Sequence, residues 1–165
     1  MKEILAEVEA AAGRIRGHAR ETPLEPSPAL GEAAGARVFL KCENLQHTGS
    51  FKARGALNKV MSLSRAEIDA GVVTASTGNH GAAVGFALAA AGARATVFVP
   101  EGASATKLAA IARRGCEIRR HGVDSGETEA FARAHAEATG ATWISPYNDP
   151  LVVGGQGTVG VELLR

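Results

Sequence analysis

The feature that most constrains this chain is a repeated change of hydrophobic period between Gly71 and Pro146. The runs "GVVTAS", "RATVFVP", "CEIRRHG" and "TWISP" are short, apolar or alternating, and rich in β-branched residues, which is the pattern of strands. Between them stand "AAVGFALAAAG", "SATKLAAIARRG" and "ETEAFARAHAEATG". These are alanine-rich and long enough for helices. A strand can pair in parallel with the next only through a crossover, so strand and helix alternating at this spacing mean βαβ units. The reading is an α/β fold, an open parallel sheet with flanking helices. Asp124 and Glu127 cap the last of these helices, and Gly115 closes the one before it. Phe98 and Trp143, in apolar strand settings, belong to the core.

The flanks are less regular. Residues 3–18 read as an amphipathic helix, with Ile4, Leu5, Val8, Ala11, Ala12 and Ile15 on one stripe. "ETPLEPSPALGEAAGA" is an extended, proline-rich segment with a short helical turn, and "RVFLKC" is a strand. "ENLQHTGS" is a loop, and a helix follows from about Phe51 to Met61. Ser64 with Glu67 makes a capping box for another short helix. "GGQGTVGVELLR" opens a helix at about Gln156 that runs to Arg165, where an α/β unit expects a further strand. The expectation is a fragment, or one half of something larger.

Composition narrows the function classes. Charged residues are 21% of the chain and the formal net charge is +1, so nothing points to nucleic acid or a charged membrane surface. Arg113, Arg114, Arg119 and Arg120 cluster locally and are read as solvated helix-end and strand-edge charges. Cys42 and Cys116 are far apart, read as small buried strand residues. They form no C-x-x-C pair, which fits a reducing compartment. The N-terminus lacks a signal-peptide core and no apolar run is long enough to span a bilayer. A soluble cytoplasmic protein is expected. His18, His47, His80, His121 and His135 show no metal spacing, and no metal is expected.

Two places carry chemistry. In "HTGSFKARGALN", Lys52 follows a helix cap, Ser50, at the positive end of a helix dipole. That position disfavours an ammonium, and burial pushes the same way. A neutral lysine amine is a nucleophile that can condense with a carbonyl. The competing reading is an exposed first-turn lysine with its stem on the surface. The second place is "TASTGNHGAAVG", at a strand-to-helix junction. Gly78 and Gly81 let backbone approach a ligand, the helix start offers N–H groups to an anion, and Ser76, Thr77, Asn79 and His80 add side-chain donors. A tight turn with a polar cap explains the same residues. The G-x-x-G-x-x-x-G spacing is not the dinucleotide fingerprint, so a Rossmann-type nucleotide-binding protein stands only as a rival.

Taken together, "KCENLQHTGSFKARGALN" and "TASTGNHG" resemble the serine/threonine dehydratase branch of the fold-type II, tryptophan synthase beta-like, pyridoxal-phosphate enzymes. "TPLEPSPAL" and "YNDPLVVGGQGT" extend the resemblance over the whole chain. It implies a fold-type II architecture with the C-terminal part of the large domain missing. Residues 1–53 and 146–165 would be the incomplete large, cofactor-binding domain, and 54–145 the small α/β domain. Pyridoxal 5'-phosphate is the implied cofactor.

By the same resemblance Lys52 condenses with the cofactor aldehyde and moves the α-proton, Phe51 packs near the pyridine ring, and Asn79 bonds the cofactor's phenolic oxygen. Ser76, Thr77, Gly78, Asn79 and His80 hold the substrate carboxylate. The implied reaction is β-elimination of water from L-threonine or L-serine, giving a 2-oxo acid and ammonia. Thr77 stands where related serine racemases carry a serine acting on the opposite face of the α-carbon, which makes it a second catalytic candidate. A racemase-like enzyme, a dehydratase of hydroxyectoine breakdown and a truncated, inactive fragment remain as alternatives. The family's phosphate-cradling loop lies past Arg165, and Gly154, Gly155 and Gly157 match a different segment. The implied partners are a small amino-acid substrate and either a second copy of the chain or a complementing C-terminal segment.

Overall fold

The computed structural model describes residues 2–165. Its centre is a four-stranded parallel sheet built from β3 (Val72–Ala75), β4 (Ala95–Val99), β5 (Glu117–Arg120) and β6 (Thr142–Trp143), in the order β5-β4-β3-β6. The chain moves one way through β3, β4 and β5, then crosses back to place β6 on the other side of β3. Helices α5 (Asn79–Ala90) and α6 (Ala105–Ala112) make the first two crossovers and α7 (Ser125–Thr139) makes the return.

Period-2 alternation sorts the strand residues between two layers. Val72, Val97 and Val99 pack with Ala83, Leu88, Leu108 and Ile111 of α5 and α6. Val73, Ala75 and Phe98 face the other way, onto Ala132 and Ala136 of α7, with Trp143 packed against them. Each fully buried valine or leucine contributes about 1.5–3 kcal/mol of transfer free energy. Expected strand, helix and core positions are all found here, with the strands shorter than their apolar runs. "TWISP" forms ladder pairs only at Thr142 and Trp143. Beyond them the Ile144 carbonyl accepts the Thr74 hydroxyl at 2.8 Å, and Pro146 has no N–H to donate.

The flanks form a helical layer and a ribbon. Helix α1 (Lys2–Arg14) stops four residues short of the expected end, because the backbone turns through a left-handed Gly17 (φ 78°). Strands β1 (Leu24–Pro26) and β2 (Phe39–Lys41) pair antiparallel around the short helix α2 (Pro28–Ala34). Helix α3 (Lys52–Met61) is followed by α4 (Arg65–Asp69), whose Ser64–Glu67 capping box is formed on both sides. Helix α8 starts at Pro150 rather than Gln156 and runs to Leu163, capped by the Asp149 carboxylate on the N–H groups of Leu151 and Val152.

The two adjacent glycines that precede the expected helix start are packing positions inside α8. A Cβ on Gly155 would lie 2.5 Å from the Arg54 carbonyl oxygen, and one on Gly154 or Gly157 would strike Glu7 or Val8. Both cysteines fall just outside the strands and are half-buried, not core, and they are unpaired. Arg114 also departs from the solvated reading. Its guanidinium sits 5.4 Å from the Phe86 ring centroid and donates to the His47 carbonyl. No helix among the described residues is long and apolar enough to cross a membrane.

Candidate active site

The strand order reverses between β3 and β6, and the loops leaving their carboxyl ends diverge: Ser76–Gly78 toward α5 and Ile144–Asn148 toward α8. In an open α/β sheet that divergence creates the crevice where ligands bind. Lys52 reaches it from outside the sheet. It is the first residue of α3, and its amine donates to the Pro146 carbonyl at 2.9 Å. That bond joins α3 to the loop after β6.

Ser50 aids this arrangement, although Phe51 is the capping residue by backbone geometry. The Ser50 hydroxyl accepts the Lys52 backbone N–H at 3.2 Å. The lysine amine is half-buried, and burial holds it below the usual lysine value. It also lies 5.4 Å from the centroid of the exposed Phe51 ring. Of the two sequence readings, the one requiring a fully solvated stem does not describe this side chain.

The Ser76–His80 segment forms the opposite wall. Ser76 accepts the Gly78 N–H at 3.2 Å, which folds the loop over the start of α5. The first N–H groups of a helix have no partner within it, so this end carries donors and the positive end of the dipole. Gly78 has no atom within 4 Å of where a Cβ would stand, so the loop is open on that side. Gly81 serves a different purpose from the one expected. A Cβ there would meet Ile111 and the Ser76 carbonyl, so it lets α5 pack onto the sheet. Asn79 is exposed, while Ser76, Thr77 and Gly78 are half-buried.

His80 differs most from its sequence role as a surface donor. The residue is 4% exposed and neither ring nitrogen has a hydrogen-bond partner. Burial drives its pKa down to about 4; the backbone at Ile144 opposes this without forming an aligned bond, and the nearby Lys52 charge adds to it. The imidazole is neutral at pH 7, and its backbone N–H, not its ring, remains for an anion at the α5 start.

Beyond Ser76 and Thr77 lies a cavity of about 190 Å³, bounded also by Pro100, Ser125, Thr128, Glu129, Pro146 and Tyr147. The Tyr147 hydroxyl donates to Glu129 at 2.6 Å across this space, and that bond holds the phenol above its usual pKa. Sequence reasoning missed Glu129 and Tyr147. An acid near a helix start is ordinary for dipole reasons, and Tyr147 lay in a segment noted only for its resemblance.

A second missed element is the support behind Lys52. Arg54 is 1% exposed. Its guanidinium pairs with Glu43 at 2.7 Å and with Glu162, and donates to the Arg20 carbonyl and the Thr158 hydroxyl. Burial works against these charges, but the paired carboxylates hold the guanidinium well above its usual value. Glu43 and Glu162 are held below the carboxylate range, against burial, by the same contacts. Asn58, fully buried one turn further along α3, donates to Glu7 and to the Leu151 carbonyl and accepts from Arg14. Helix α3 is therefore fixed to α1, α8 and the Glu43–Leu45 turn by polar groups, and its first residue is held in place.

A half-buried amine at a helix start, facing a loop with helix-dipole donors at a topological switch point, defines an α/β site suited to carbonyl condensation and carboxylate binding. Comparison with known proteins names the group. Residues 15–165 match the family model described as pyridoxal-phosphate dependent enzyme, and the chain belongs to that family. It is 41% identical over 158 residues to the L-threonine ammonia-lyase of Geobacter sulfurreducens, covering 96% of this chain and 39% of that one. It is 42% identical over 157 residues to the beta-hydroxyaspartate dehydratase of Paracoccus denitrificans, covering 94% and 50%.

Among solved structures, a threonine deaminase from T.th. superposes with a TM-score of 0.86 at 42% identity, covering 97% of this chain and 50% of that one. The serine racemase of Dictyostelium discoideum gives 0.87 at 37% identity, covering 97% and 52%. The chain thus spans about half the length of the curated relatives it matches. Family membership replaces the nucleotide-binding rival.

The residues present fit such a cofactor at its aldehyde and ring. An amine below its usual pKa, an exposed aromatic ring beside it and an open glycine opposite meet those two needs. Gly154, Gly155 and Gly157 face Glu7, Arg54 and Val8, so they offer nothing to a phosphate.

Proposed function

We propose that a polypeptide containing this chain is a pyridoxal-phosphate dependent ammonia-lyase acting on hydroxy amino acids such as L-threonine and L-serine. Water is eliminated across the Cα–Cβ bond, the resulting enamine tautomerises to an imine, and water adds back at Cα to release ammonia, so the net change is hydroxy amino acid to 2-oxo acid plus ammonia. When bound, the cofactor supplies the electron sink that makes the α-proton removable. In this reading the Lys52 amine holds the cofactor aldehyde and takes up the α-proton. The Phe51 ring flanks the cofactor ring and the exposed Asn79 amide bonds its phenolic oxygen. The α5 N-terminus, with Ser76, Thr77, Gly78 and the backbone of His80, receives the substrate carboxylate. Thr77 lines the crevice with its hydroxyl and is the candidate for a second proton-transfer group.

The observation that carries the reading is the Lys52 amine, half-buried, depressed in pKa and held by the Pro146 carbonyl beside the switch point. Similarity to threonine ammonia-lyases and a threonine deaminase supports the reaction. We further propose that residues 1–53 and 146–165 belong to one larger lobe and 54–145 to a smaller one. A complementing C-terminal segment or a second copy would complete the larger lobe. Two unpaired thiols fit a reducing compartment, so we place the protein in the cytoplasm. Borohydride reduction in the presence of pyridoxal phosphate, followed by peptide mapping, tests the assignment. The pyridoxyl group is expected on Lys52, and preferential labelling of Lys41, Lys59 or another lysine overturns it.

A further inference from the structure

Two relatives of nearly equal identity act, by name, on different side chains: one on threonine, the other on hydroxyaspartate, which carries a second carboxylate. Overall identity does not choose between them, but the cavity behind the carboxylate loop does. It opens next to Ser76 and Thr77 and shares Pro146 with the Lys52 amine. An amino acid with its carboxylate on the α5 start and its α-carbon near Lys52 directs its side chain there.

The lining is rich in hydroxyls and carries one acid. Thr77, Ser125, Thr128 and Tyr147 contribute hydroxyl groups and Glu129 contributes a carboxylate. Among the described residues no lysine, arginine or histidine lines the space. The Thr128 hydroxyl is already committed to the Asp124 and His121 carbonyls. Tyr147 is committed to Glu129. A β-hydroxyl finds acceptors and donors in this cavity. A second carboxylate finds a like charge and no counter-charge, and like charges brought together in a confined site repel strongly.

We propose that this cavity is the side-chain subsite, and that Glu129, with no cation beside it among the described residues, selects uncharged hydroxy amino acids over 3-hydroxyaspartate. The inference rests on the carboxylate-binding reading of the Ser76–His80 loop and narrows its substrate class. Glu129, bonded to Tyr147, is the specificity-determining residue.

The test is titration of the ¹⁵N-labelled 165-residue chain with glycine, L-threonine and L-threo-3-hydroxyaspartate, followed by amide NMR. Glycine is expected to shift only the amides of residues 76–81, and L-threonine to shift those of Thr128 and Tyr147 as well. L-threo-3-hydroxyaspartate is expected to bind about tenfold more weakly than L-threonine, or worse. Glu129→Gln, at a half-exposed position, keeps the shape and removes the charge, and should close most of that gap. Equal or tighter binding of 3-hydroxyaspartate to the unaltered chain overturns the proposal. So does a threonine response confined to residues 76–81. Pyridoxal-phosphate labelling of Lys52 on the same samples reports the cofactor reading separately, so a silent cavity with intact labelling counts against the subsite alone.

Discussion

Lys52 and Pro146 stand 94 positions apart, and the amine of one donates to the carbonyl of the other at 2.9 Å. Proline has no N–H and a fixed φ, so the loop after β6 presents that carbonyl in a defined direction. The bond keeps the amine at the crevice, where burial favours its neutral form.

The first prediction concerns reactivity. With its pKa lowered by burial, Lys52 becomes neutral at a lower pH than an ordinary lysine. Its reaction with an aldehyde followed by borohydride should therefore reach half-maximum at lower pH in the folded chain than in the urea-unfolded chain. Peptide-resolved labelling between pH 6 and 10 reads this. Lys52→Met should remove the labelling while changing stability by no more than about 1 kcal/mol, because a single partly exposed hydrogen bond is lost. A Lys52 profile that is the same in the folded and unfolded chain would sink the idea.

Arg54 gives the second. Removing a buried cation leaves Glu43 charged and unpaired and Glu162 held by Lys41 alone, and breaking a buried ion pair in this way costs about 3–5 kcal/mol. Arg54→Ala should lower the stability measured by urea unfolding by that amount or leave the chain unfolded. Arg54→Lys should recover less than half of it, because one ammonium cannot reproduce the forked contacts to two carboxylates, the Arg20 carbonyl and Thr158. Full recovery by lysine would show that charge alone matters here.

The third is a pH dependence. His80 has a folded pKa of about 4 against an ordinary 6.5, so the unfolded chain binds a proton that the folded chain refuses. Stability therefore falls as pH drops from about 6.5 to 4, by roughly 3 kcal/mol in all. Glu43 and Glu162 have depressed values, so the stability they contribute is present above the ordinary carboxylate pKa. It is lost at still lower pH, as protonation ends their pairing with Arg54. Urea midpoints at pH 7.5, 6.5, 5.5 and 4.5 measure the slope. His80→Leu should flatten the interval between 6.5 and 4.5, and an unchanged slope in that variant would assign it elsewhere.

Local pattern was enough for the elements that carry their own signals. The sheet alternation, the Asp124 and Ser64 caps and the lysine at the start of α3 each follow from residues close in sequence. Long-range pairings were not legible. Arg54 reads as an ordinary helix arginine until Glu43 and Glu162, 11 and 108 positions away, close on it. His80 reads as a donor until burial against Ile144 removes its ring from the surface. Glu129 and Tyr147 meet only because α7 returns across the sheet. The packing role of the α8 glycines was hidden for the same reason: a glycine at an open position and a glycine under another helix look alike in one dimension.

Those glycines give the fourth prediction. Gly155 and Gly160 lie in the same helix, five residues apart, and a propensity argument treats them equally: alanine should gain about 0.5–1 kcal/mol at either. Packing separates them. A Cβ at Gly155 would meet the Arg54 carbonyl oxygen at 2.5 Å, the Asn58 Cβ at 2.7 Å and the Gly55 Cα at 2.7 Å, while one at Gly160 meets nothing within 4 Å. The obstacles at Gly155 are largely backbone, so α8 would have to move away from α3, and overpacking of that kind costs about 1–3 kcal/mol or more. Such a shift would also disturb Arg54 and, through it, the start of α3. Gly155→Ala should therefore destabilise the chain and slow aldehyde labelling of Lys52, whereas Gly160→Ala should stabilise it by up to about 1 kcal/mol and leave labelling unchanged. Thermal unfolding read alongside labelling rates distinguishes the two, and equal behaviour of both variants would mean that α3 and α8 are not in the close contact described.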